Sequence, residues 1–115
     1  MPPGIGGTAT APSPGWFLRA AEASCVASLI AIRAAAVGVA LGSVEVEVDS
    51  ESDDRGILGL DPEIPAGALS TRVMVAIDAP GLDRPALEEL VRWAVEHCPV
   101  TETVSRSVPL EIEFR

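Results

Sequence analysis

The residues of this chain best equipped for chemistry are its two thiols. Cys25 and Cys98 are the only cysteines among 115 residues, and His97 is the only histidine. A thiolate is both a nucleophile and a redox centre, so two thiols brought together in space support attack on an electrophilic atom followed by disulfide closure. The plain alternative is that both are small apolar packing residues, an equally common fate for buried cysteines. Metal ligation has less behind it, because no Cys-x-x-Cys or His-x-x-x-His spacing offers a ligand set. Neither a metal nor an organic cofactor is expected.

The element that carries Cys25 is the stretch Pro14 to Gly42, PGWFLRAAEASCVASLIAIRAAAVGVALG. Ser13 is a candidate N-cap, and Pro14 at the first helical position gives up only an amide hydrogen that a helix start leaves unpaired. Leu18, Glu22, Leu29, Ile32 and Ala36 lie three, four, seven or eleven positions from Cys25, so the spacing predicts one shared face. Glu22 is a further candidate site residue, since a carboxylate on an apolar face needs a partner. Arg19 and Arg33 are turned roughly 120° and 80° away from Cys25 by helical geometry and read as surface or interface charges. The run is long enough for a membrane span, but Arg33 interrupts it and no basic flank follows. It reads as a buried core helix and not as a span, and no basic region precedes it as a signal peptide requires.

Other elements must give that helix something to pack on. In SVEVEVDSES, Val44, Val46 and Val48 alternate with Glu45, Glu47 and Asp49, which predicts a half-buried strand. Residues 50–70 are rich in Gly and Pro and read as a long hairpin connection. TRVMVAIDA predicts a second strand through Val73, Val75 and Ile77. Asp83 can cap a second helix, RPALEELVRWAVEHC, with Leu87, Leu90, Val91, Ala94, Val95 and Cys98 on one stripe, and Pro99 must end or kink it. Val108, Leu110, Ile112 and Phe114 alternate with polar neighbours and predict a third strand. The expected fold class is α+β, in the order helix, strand, strand, helix, strand, with the long apolar helix central and both helices on an antiparallel sheet. Residues 1–13 read as a flexible N-terminal loop and 14–115 as a single domain. So few elements leave part of the first helix uncovered, and the expected cover is a second copy of the chain, a homodimer.

Net charge is −9, from 17 acidic residues against eight arginines and no lysine. Nucleic acid and anionic membrane surfaces are therefore not expected partners, because phosphate binding needs gathered cations and these arginines are scattered. The cytoplasm is the default compartment, where a cysteine pair is redox-active or inert more often than a structural disulfide.

Two segments together resemble the OsmC/Ohr family, the osmotically inducible protein C and organic hydroperoxide resistance proteins. One is AEASCVASLIAIRAAAVGVALGSVEVEVDSE, a small-residue helix bearing a cysteine and running into a Val/Glu strand; the other is VEHCPVTETVSRSVPLEIEF, where Cys-Pro follows an amphipathic helix. The resemblance covers residues 14–115. It implies an OsmC-like fold and a stress-response, peroxiredoxin-like thiol peroxidase. Such an enzyme reduces organic hydroperoxides, with Cys25 peroxidatic and Cys98 resolving, and is re-reduced by a dithiol of the dihydrolipoamide type. Leu18, Leu29 and Trp93 would then line an apolar substrate pocket. The family usually has Glu directly after the helix-starting Pro, where Gly15 stands here. Its partnering arginine comes from an N-terminal region, and MPPGIGGTATAPS resembles the loop that joins that region to the helix. Two alternatives follow: a catalytically silent OsmC-fold dimer that binds an apolar small molecule, or a truncated, inactive family member.

Overall fold

Ser13 starts the first long helix as its residue type suggests. It is extended (φ −72°, ψ 159°), and its hydroxyl accepts from the Trp16 N–H at 3.1 Å. A computed structural model, which describes Met1 and residues 3–115, carries this helix, α1, over Pro14–Ala36. The apolar run to Gly42 does not stay helical, because Gly38 takes φ +75° and closes the helix. Val39 N–H donates to the Ala34 carbonyl at 2.8 Å and Gly38 N–H to Ala35 at 3.3 Å, the paired bonds that a left-handed residue just past a helix permits. Ahead of α1, Pro3–Ile5 form one 3₁₀ turn, and Ala9 N–H donates to the Met1 carbonyl; Pro2 lies outside the described residues.

The strands β1 (Ser43–Glu51) and β2 (Ser70–Asp78) pair antiparallel, from Ser43 opposite Asp78 to Glu51 opposite Ser70. In that register Val44 faces Ile77, Val46 faces Val75 and Val48 faces Val73, so the half-buried valines meet their counterparts across the sheet. The connection between them includes a short helix, α2 (Asp54–Ile57), capped by Asp53. It folds back tightly: a Cβ at Gly56 would stand 2.1 Å from the Pro65 carbonyl oxygen, which only glycine avoids. Helix α3 (Arg84–Glu96) begins at Asp83, whose carboxylate accepts from Ala86 N–H at 3.0 Å.

The core sits between α1 and α3. Val26, Ile30 and Ala34 of α1 meet Leu90, Ala94 and Cys98, and Val44, Val46, Val73, Val75 and Ile77 of the strands pack against this cluster. The two alanines let the helices approach closely, and full burial of Val26 or Ile30 contributes about 1.5–3 kcal/mol each. The buried face of α1 is Glu22, Val26, Ile30 and Ala34, one position round from the stripe through Cys25. Cys25 and Leu29 are half-buried on its flank, while Leu18 and Ile32 are half or more exposed. By length and hydropathy α1 also satisfies the criteria for a membrane span.

The α+β class is the one the sequence patterns predict, but the element order differs at its end. Pro99 does not simply terminate a helix: it opens another, α4 (Pro99–Ser105). The expected third strand does not form. Leu110, Ile112 and Phe114 are 84%, 73% and 97% exposed, and residues 106–115 make no backbone–backbone hydrogen bond among the described residues. Alternation states which side chains of a strand want burial, but a strand also needs a neighbour for its ladder, and this sheet ends at two.

Candidate active site

Cys98 owes its position to the proline that follows it. The Pro99 ring cannot continue α3, yet its fixed φ suits the first residue of a helix, so the chain breaks at Cys98 and restarts as α4. Cys98 is extended (φ −76°, ψ 116°) and acts as the N-cap, its Sγ accepting from the Thr101 N–H at 3.5 Å. It has no exposed surface. Packing of α1 on α3 and α4 brings Cys25 beside it, close enough for each thiol to act on the other, both as free thiols.

The surroundings push the two thiols in opposite directions. Burial is the main influence on Cys25 and raises its pKa above the ordinary 9.0; the neighbouring Cys98 adds to this and the Val100 N–H partly offsets it. Burial also acts against charge on Cys98. There, hydrogen bonding from Cys25 and from Thr101 outweighs it, so Cys98 falls below 9.0. Because each thiol acts on the other, the two titrate as a pair.

Glu22 lies one turn before Cys25 and is only 4% exposed; the Thr101 hydroxyl donates to its Oε1 at 3.4 Å. Arg19 donates to the Ser50 hydroxyl at 3.0 Å, and Arg33 lies 4.7 Å over the Trp93 ring, which in turn stacks on His97. The residues expected around a substrate do not share one cavity. Leu18 is half-exposed, Leu29 packs on the core, and Trp93 lines a separate cavity of about 160 Å³ with Arg33, Val37, Val39 and Leu90. Among the described residues no group of three or more His, Cys, Asp or Glu gathers as a metal site. Thr101 is the site residue that sequence reasoning misses. Its signal is present: a proline, followed within a turn by Glu102, is how a new helix starts.

The description "OsmC-like protein" fits residues 7–113 of the chain, through the family's sequence model. The chain belongs to the OsmC family. No curated protein matches it in sequence. Among solved structures, this OsmC chain is similar to an OsmC-like protein from Mycoplasma pneumoniae, with TM-score 0.74 and 16% identity over 85% of this chain and 65% of that one. It is also similar to an organic hydroperoxide resistance protein OsmC from Legionella pneumophila, with TM-score 0.64 and 25% identity over 90% of this chain and 69% of that one. A third is the organic hydroperoxide resistance protein OhrB of Bacillus subtilis, with TM-score 0.57 and 22% identity over 90% and 70%. The chain thus spans about two thirds of the length of these OsmC structures.

Proposed function

We propose that the chain is a two-cysteine thiol peroxidase acting on organic hydroperoxides, with Cys25 as the attacking thiol and Cys98 as the resolving one. The observation that carries this reading is the facing pair itself, with Cys25 half-buried and Cys98 sealed from solvent, so that a substrate meets Cys25 first. In this mechanism Cys25 gives up its proton to water, and its thiolate attacks the terminal oxygen of the hydroperoxide. The O–O bond breaks, hydroxyl stays on Cys25 as a sulfenic acid, and the departing alkoxide takes a proton from solvent to leave as an alcohol. The Cys98 thiolate then attacks the Cys25 sulfur; the S–O bond breaks, and hydroxide takes up a proton and leaves as water. A dithiol of the dihydrolipoamide type returns two electrons and two protons, and Leu18 and Leu29 near Cys25 on α1 suit an alkyl substrate. A reducing compartment, the cytoplasm, completes the cycle.

The test is intact mass of the reduced protein before and after one equivalent of cumene hydroperoxide, with peptide mapping. Loss of two hydrogens with Cys25 linked to Cys98 is the expected result. Two free thiols after prolonged exposure would overturn the peroxidase reading. That outcome would favour a silent OsmC-fold dimer binding an apolar small molecule, a reading supported by the raised pKa of Cys25.

The working form is a homodimer. The chain exposes 8163 Å², against about 5,900 Å² expected for a folded chain of 11.9 kDa. The excess, about 2,200 Å², is what one protomer contributes to a large permanent interface. Its radius of gyration, 17.6 Å, likewise exceeds the roughly 13 Å of a compact chain this long. The uncovered surface is apolar: the strand-patterned tail, the edge-to-face pair Trp16–Phe17, and an open groove between β2 and α3 lined by Val73, Val75, Ile77, Leu87 and Val91.

A further inference from the structure

Two links join α1 to the start of α4, one turn apart. In the first, Cys25 faces Cys98; in the second, Glu22 accepts from Thr101 Oγ1 at 3.4 Å, a side-chain bond across 79 positions of sequence. Thr101 belongs to both, because its N–H donates to Cys98 Sγ at 3.5 Å. We propose that Thr101 and Glu22 are positioning residues for the resolving thiol: Glu22 holds the Thr101 side chain, and through it the first turn of α4, so that the Cys98 sulfur stays aimed at Cys25.

Three features carry the argument. A carboxylate 4% exposed needs compensation, and the Thr101 hydroxyl is its hydrogen-bond partner among the described residues. Helix α4 has only seven residues and none of them is fully buried; in its first turn Val100 packs at the edge of the core, and its own propensity adds little to that hold. A polar strut to α1 supplies a second, directional one. The Thr101 hydroxyl donates to Glu22 Oε1 while the Thr101 N–H donates to Cys98 Sγ. The side chain is thereby committed to α1 and the backbone N–H to sulfur.

The role rests on the dithiol reading of Cys25 and Cys98, but its test does not need peroxidase activity. The reduced protein is equilibrated with mixtures of oxidised and reduced dithiothreitol, and the Cys25–Cys98 disulfide is counted by mass. Thr101→Val, which keeps shape and N–H but lacks the hydroxyl, lowers the disulfide equilibrium constant about ten-fold, the worth of one buried hydrogen bond, and Thr101→Ser restores it to within about two-fold. Glu22→Leu shows the same loss as Thr101→Val, and the double variant adds nothing to it. If Thr101→Val does not fold, Thr101→Ser against Thr101→Ala makes the same comparison of hydroxyl with none. An equilibrium constant unchanged on loss of the hydroxyl, or lost equally in the serine variant, overturns the proposal. A wild-type protein that closes the disulfide with dithiothreitol but not with hydroperoxide would instead sink the peroxidase reading and leave the positioning role standing.

Discussion

The thiol junction and the C-terminal tail are both apolar segments with clear periodicity, and they end in opposite states. Leu90, Ala94 and Cys98 recur at helical spacing and are buried against Val26, Ile30 and Ala34. Val108, Leu110, Ile112 and Phe114 recur at strand spacing and stand in solvent. A helix satisfies its own backbone and needs only another apolar face, which α1 supplies within the chain. A strand needs both a face and a hydrogen-bonding edge from a neighbour. The tail's apolar pattern therefore specifies a partner that the protomer does not place beside it.

The largest effects are expected at the junction. Cys25→Ser lowers hydroperoxide turnover by about a thousand-fold or more, since the thiol that remains, Cys98, is sealed from solvent. Cys98→Ser leaves a single turnover that stalls at sulfenic acid, trapped with dimedone and read by mass. Peroxidase activity surviving in Cys25→Ser would remove the junction's special status. Next comes packing: Ile30→Ala costs about 2–5 kcal/mol in urea unfolding, because the helices cannot collapse onto the space left. Ile112→Ala, measured at a dilution where only protomers exist, stays within about 0.5 kcal/mol of wild type. Equal losses at the two positions would mean that the tail is packed after all.

How much of this is legible from residues alone follows the same division. Ser13, Asp83 and the Val/Glu alternation of β1 act through neighbours a few positions away or directly across the sheet, and they fold as their types suggest. The two thiols are identifiable as a pair, but their contact depends on how α1 crosses α3, which no spacing encodes. Two departures from the local pattern share a cause. Spacing draws the stripe on α1 through Cys25, whereas the helix rolls to bury Val26, Ile30 and Ala34 in one cluster with Leu90 and Ala94 of α3. Likewise Pro99 reads locally as a stop, when the same ring chemistry makes it a start. Both choices are settled by tertiary packing among options that the local sequence leaves equal.

A smaller effect separates the tail from the groove it is expected to help cover. Leu110→Arg puts a charge into the proposed subunit interface and weakens the dimer by at least about ten-fold, read by light scattering over a dilution series. The melting temperature of the dilute protomer stays as it was. A dimer of unchanged affinity would show that the second copy is held elsewhere, through Trp16 and Phe17 or the β2–α3 groove.

The smallest effect tests whether exposed charge contributes where exposed apolar surface does not. Arg72 of β2 pairs with Asp49 of β1 directly across the sheet, and its hydrogen bond holds the Asp49 carboxyl below the ordinary 3.8. The folded carboxyl thus binds its proton less readily than the unfolded one. The contribution is complete above the unfolded value, near pH 4, and is lost as pH falls through the folded one. Asp49→Asn should lower the melting temperature slightly at neutral pH, and the gap from wild type should close on acidification. Salt should narrow it as well, because both side chains face water. A gap that persists below the folded pKa would show that the amide disturbs the register of Val48 against Val73, so that packing, and not charge, holds this end of the sheet.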